Sequence, residues 1–119
     1  MKKSISALSL RNKRHTFRKS KNHTIIKPHS IVADKNDTAI FTVAGMQQFI
    51  PYLSGKEHPL GTRLADIQHC IRTVDFDIIG DNSHHTMFFM MGNWSLGDYF
   101  KKESIAWSYE FLTDKKNGL

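Results

Sequence analysis

Arg72 is the residue best suited to act on a substrate, because a planar guanidinium donates paired, charge-assisted hydrogen bonds to phosphate. It stands near the end of an alternating stretch, Ile67 to Val74, and beyond a polar loop His85 to Met91 supplies a histidine and a Met/Phe surface. An arginine beside flat apolar side chains makes a plausible cradle for a nucleotide. On pattern alone the plainer reading, a surface arginine beside a core strand, is favoured. His84 and His85 invite a metal reading, but neighbours on a strand point to opposite faces and no CxxC, HxxxH or third ligand accompanies them. Cys70 lies inside a predicted strand and suits core packing better than nucleophilic attack. Asp75, Asp77 and Asp81 lack the spacing of a calcium loop, and neither a Walker-A loop nor a dinucleotide fingerprint occurs.

The elements that must hold Arg72 are two strands and a long connection. In Ile67 to Val74, residues Ile67, His69, Ile71 and Thr73 share one face, and Gln68, Cys70 and Arg72 the other. With Asp75 to Ser83 as the connection and His85 to Met91 as the returning strand, the pattern predicts an antiparallel hairpin with an oversized, functional loop. Upstream, Thr38 to Val43 reads as a strand ending at Ala44-Gly45, Gln47 to Leu53 is ambiguous and broken by Pro51, and Ser54 to Gly61 reads as loop. Ser95 to Asp98 has capping-box spacing before a helix over 100–112, with Ile105, Tyr109 and Leu112 as its apolar face and Trp107 and Phe111 as a second ridge. Gly118 is its expected stop. Residues 4–20 form a helix only with a poor stripe, since Ile5, Leu8 and Phe17 are interrupted by Arg11, Arg14 and Arg18.

The 119 residues suit one domain. The formal charge of +6 is uneven: residues 1–33 contain nine Lys/Arg and no acid, whereas residues 34–119 contain eight Lys/Arg and eleven acids. The basic first third fits either a polyanion contact such as RNA or a solvated arm. An organelle transit peptide is a lesser option. No apolar run reaches the roughly 18 residues of a membrane span, and the short piece after Met1-Lys2-Lys3 is too brief for a signal peptide. The single cysteine excludes an internal disulfide and fits a reducing, cytoplasmic setting.

Longer words carry more than composition does. Phe-Thr-Val-Ala-Gly-Met-Gln-Gln-Phe (41–49) resembles the FTxAGMxQF segment of the alanyl-tRNA synthetases. Gln-His-Cys-Ile-Arg (68–72) resembles their QKCIR segment, the first strand of class II motif 2. The run from His84 to Lys101 resembles HHTFFEMLGNWSxGDYFK, while 21–26 and 105–113 resemble the family's start and the helix after motif 2. The resemblance covers about residues 11–117. It implies an α+β fold, an antiparallel sheet flanked by helices, with 1–20 a basic arm or degenerate first helix and 21–119 a partial class II catalytic domain. It also implies ATP, L-alanine and tRNA(Ala) as partners, Mg2+ with the ATP, and neither a zinc site nor a membrane. Carried over by motif position, Arg72 holds the α-phosphate as the catalytic residue, His85 contacts ATP, and Met90 and Met46 border the adenine and alanine pockets.

Departures from the pattern qualify that expectation. Phe89 stands where the family has a glutamate, so a polar group facing the site is expected to be missing, and His69 replaces a lysine. Arg14, His15 and Arg18 occupy aromatic or aliphatic positions, which is expected to strip the first helix of its packing face. The family's NDPT turn is reduced to Asn36-Asp37-Thr38, and motif 3 and the tRNA-binding and editing regions do not follow. The expected function is therefore a fragment of an alanine–tRNA ligase, inactive alone and completed by the missing carboxy-terminal part. The alternatives are a non-catalytic nucleotide- or RNA-binding remnant and, last, a stand-alone basic RNA-binding protein.

Overall fold

The computed structural model of the chain describes residues 4–35, 37–74 and 76–114. The expected stop at Gly118, Asn36 of the shortened turn and Asp75 of the loop lie outside them. The fold is α+β, and its contacts group into two units. One consists of Met1–Ile26, Glu57–Ala65 and Asn93–Leu119, the other of Lys27–Lys56 and Asp66–Gly92.

In the first unit, Ser6 starts helix α1 (Ala7–Ser20) by accepting the Ser9 amide on its hydroxyl at 3.2 Å, which satisfies one of the N–H groups left open at a helix start. The helix closes on Asn22, held in the left-handed region at φ 61°, while the His23 amide reaches back to the Arg18 carbonyl at 3.0 Å. Its buried residues are Arg14, Phe17 and Arg18. The two arginines expected to remove the packing face are therefore part of it, their aliphatic stems covering surface that apolar side chains would otherwise fill.

Helix α3 (Lys101–Thr113) buries Phe111 against Phe17, ring centroids 5.2 Å apart, and Lys21 pairs with Glu110 at 2.8 Å. The inner ridge is thus Trp107 and Phe111. Ile105, Tyr109 and Leu112, the face anticipated as core, are 68%, 70% and 60% exposed. Both ridges are apolar at helical spacing, and the partner Phe17 decides between them. Ser95 does not cap this helix either. Its hydroxyl accepts the amides of Asp98 and Tyr99 at 3.2 and 2.8 Å and closes a turn before the helix begins, leaving Phe100 N–H to donate to Glu103 at the true start.

The sheet has the order β1 (Thr24–Ile25), β2 (Arg63–Ile71), β3 (Met87–Ser95). Thr24 and Ile25 pair in parallel with Leu64 and Ala65, so the sheet is mixed, and this pairing draws β2 back to Arg63, four residues before the anticipated start. The hairpin is antiparallel as anticipated: Leu96 N–H donates to the Thr62 carbonyl at one end, and Arg72 N–H to the Thr86 carbonyl at the other, each at 2.8 Å. The expected strand Thr38 to Val43 is reduced to an isolated bridge between Val32 and Phe41. Side chains intercept its ladder: Asp37 takes the Ala39 amide, and Gln47 takes the amides of Val43 and Ala44. Such local bonds compete directly with strand pairing. The ambiguous stretch folds as a 3-10 turn, Gln47–Phe49, and a short helix α2 (Ile50–Leu53) with Pro51 in its first turn.

Candidate functional site

Within the second unit, the loop before α2 is stitched at both ends. Thr42 N–H donates to the Ile31 carbonyl at 2.8 Å, its hydroxyl donates to Ser30, and its carbonyl accepts Ile71 N–H from the end of β2 at 3.0 Å. Gln47 then fixes the turn, its Oε1 accepting the Val43 and Ala44 amides at 2.6 and 3.0 Å while its Nε2 donates to Asp37 at 2.6 Å. That donation, with the Ala39 amide, holds the Asp37 carboxyl below the usual carboxylate range. The outcome is a rigid carbonyl at Val43 facing the sheet.

Arg72 uses it. Its Nε donates to the Val43 carbonyl at 3.1 Å, and its guanidinium lies 5.2 Å from the centre of the Phe88 ring. A cation over an aromatic face is attracted by about 0.5–1 kcal/mol at an exposed site. The two contacts fix the plane of the fork while both Nη groups have no protein hydrogen bond among the described residues. Arg72 is exposed, so an anion reaches those donors from solvent.

Met90 joins the same region, accepting the Gly45 amide on its sulfur at 3.4 Å, and Met46, next in the chain, is exposed. Arg72, Met90 and Met46 are therefore gathered round the Val43–Met46 turn. His85 is not: it is exposed, and among the described residues it makes no hydrogen bond, ion pair or ring contact. Its neighbour His84 binds the Asp81 carboxylate at 2.6 Å in the hairpin loop, where the His84 amide, this ring contact and the Ser83 amide pull Asp81 down to about 2. Cys70 is fully buried, and burial pushes its thiol up, away from the reactive thiolate. Among the described residues, no three His, Cys, Asp or Glu side chains gather closely enough to hold a metal ion. Gln47, Val43 and Phe88 are site-forming residues that pattern reading passed over. Phe88 falls on a fixed position of the word that starts at His84, whereas Val43 and Gln47 fall on the two variable positions of the 41–49 word.

The replacement at Phe89 is not a loss at the site. The hairpin register that pairs Arg72 with Thr86 puts Phe89 opposite His69, on the other face from Phe88 and Met90, because side chains alternate along a strand. There the Phe89 and His69 rings stack, centroids 3.8 Å apart and 25° from parallel. The two departures from the family words, at His69 and Phe89, are thus one stacked cross-strand pair. In a double-mutant cycle, His69→Ala and Phe89→Ala are expected to couple by about 0.5–1.5 kcal/mol in urea unfolding. Additive effects would mean that the rings stack without stabilising the hairpin.

The family described as tRNA synthetases class II (A) matches residues 9–119. The alanine–tRNA ligase of Treponema denticola is 56% identical over 116 residues, covering 98% of this chain and 19% of that protein. That of Treponema pallidum is 53% identical over 109 residues, covering 92% and 18%. The alanine–tRNA ligase of Rubrobacter xylanophilus is 44% identical over 110 residues, covering 92% and 12%. The chain spans a fifth or less of the length of these relatives. Among the described residues, no helix is long and apolar enough to cross a membrane.

Proposed function

This chain belongs to the class II tRNA synthetases (A), and from that premise we propose that it is a part of an alanine–tRNA ligase that binds ATP at Arg72. The observation that carries this reading is the guanidinium anchored by Val43 and Phe88, its Nη fork without a hydrogen bond among the described residues. In the proposed reaction the alanine carboxylate attacks the α-phosphorus of ATP, pyrophosphate leaves, and the alanyl group passes from the adenylate to tRNA(Ala). Arg72 donates to the α-phosphate oxygens, where negative charge builds in the transition state, and its fixed plane lowers the reorganisation the step requires. Phe88 holds the guanidinium from one side. Met90, tied to Gly45, and Met46 offer apolar surface for adenine and for the alanine methyl group. His85, with no protein partner of its own among the described residues, is free to turn toward ATP. Mg2+ accompanies the nucleotide; the described residues offer it no carboxylate cluster, and no step here depends on it. A cytoplasmic location, beside its tRNA, belongs to the same proposal.

Because the chain spans 19% of the Treponema denticola ligase, we expect it to need the remainder of such a protein for activity. Alanine-dependent exchange of pyrophosphate into ATP tests this. The chain alone is expected to stay at background, and a mixture with the remainder of that ligase to exchange measurably. A mixture that stays at background removes the split-enzyme reading and leaves a nucleotide-binding remnant.

A further inference from the structure

Arg18 is fully buried, yet its Nε, Nη1 and Nη2 have no hydrogen-bond partner among the described residues, and the same holds for Arg14 Nε and His23 Nδ1. All belong to the first unit. Buried donors on cations are costly without acceptors. The aromatic faces nearby, Phe111 at 5.2 Å from Arg14 and Phe17 at 5.8 Å from Arg18, attract a cation but accept no hydrogen bond. Three of the unit's acids are engaged elsewhere: Glu110 with Lys21, Asp98 with Arg63 and Glu103 with the Phe100 amide. What the cluster lacks is an acceptor with several lone pairs and a negative charge.

A cavity adjoins the cluster's hydrogen-bond partners. Arg14 Nη2 donates to Asn93 Oδ1 at 2.8 Å, Asn93 Nδ2 donates to the Tyr99 hydroxyl at 3.1 Å, and that hydroxyl meets His23 Nε2 at 2.8 Å. Asn93 and Tyr99 also line a cavity of about 320 Å3 with Ser95, Lys101 and Ser104, at the first turn of α3. A helix N-terminus and a lysine add positive potential there. Arg18 is joined to the same group through its carbonyl, which accepts the His23 amide at 3.0 Å.

We propose that Arg14, Arg18 and His23, behind the cavity lined by Asn93 and Tyr99, form a binding site for a small phosphate oxyanion. The site is separate from Arg72 and belongs to this chain rather than to its family, whose words carry aromatic or aliphatic residues at positions 14 and 18. Full burial of Arg18 suits a free phosphate better than one fixed in a nucleic-acid backbone.

Thermal unfolding of the full chain in sodium phosphate and in sodium chloride of equal ionic strength tests it, with inorganic phosphate as the probe. The expected result is a saturable rise in Tm of several degrees in phosphate, with broadening of the phosphate phosphorus resonance. Arg18→Phe should abolish both effects, while Arg72→Ala should leave both in place. Equal Tm in the two salts overturns the proposal with no variant needed, so a poorly folding Arg18→Phe does not rescue it. A phosphate response that survives Arg18→Phe, or disappears in Arg72→Ala, overturns it too. A short RNA that shifts Tm where inorganic phosphate does not would show a backbone contact in place of this site.

Discussion

Alanine in place of Arg72 is expected to lower alanine-dependent ATP–pyrophosphate exchange by the complemented enzyme by roughly 100- to 1000-fold. That is the usual cost of deleting one preorganised donor at a centre of developing negative charge, about 3–4 kcal/mol. The guanidinium has five N–H donors, and among the described residues only Nε is engaged by protein, at Val43. The fork therefore meets phosphate already oriented. Arg72→Lys keeps the charge but loses the planar fork, so it should restore a minor part of the activity. Because Arg72 is exposed, neither change should move the unfolding midpoint appreciably, which separates a role in binding from one in folding. Exchange within a few-fold of the unaltered protein would remove Arg72 from the reaction.

The second large effect is on stability. His23 is 3% exposed, and burial, followed by the nearby charge of Arg18, depresses its imidazolium to about 4. Backbone hydrogen bonds with Arg18 and Lys21 oppose that only in part. An unfolded histidine binds its proton near 6.5, so between pH 6.5 and about 4 the unfolded chain holds more protons than the folded one. Stability is therefore full above pH 6.5 and is lost progressively as the pH falls toward 4. At 1.36 kcal/mol per unit, the loss is about 3 kcal/mol. His15, shifted down by partial burial and its basic neighbours, acts in the same direction. The lowered carboxyls of Asp37, Asp81 and Asp98 act mainly below this window. Urea unfolding at pH 7, 5.5 and 4 should show the decline, and His23→Gln should flatten most of it. A flat profile in the unaltered chain would contradict the burial of a neutral His23.

Period-two alternation made the faces of β2 legible from sequence, but that Met90 shares the side of Arg72 followed only from the hairpin register. Three other features turned on information outside the local pattern. Thr38 to Val43 has strand composition, but the Asp37 and Gln47 side chains take amides that a strand partner would need. In α3 the 105/109/112 and 107/111 ridges are both apolar, and only the position of Phe17 selects the second. Arg14 and Arg18 read as surface residues because arginine almost always is one; nothing local marks a buried arginine. Phe89 erred in another way. Its replacement of a charged residue was visible, but its face and its partner His69 required the hairpin register.

Gln68, fully buried, accepts the His29 amide on Oε1 at 2.7 Å and donates Nε2 to the His29 carbonyl at 3.0 Å. One carboxamide thus stands in for a peptide group of a neighbouring strand, giving a residue outside every strand both of its ladder bonds. In the language of amide exchange, the His29 proton is expected to leave only when the Gln68 carboxamide lets go of it.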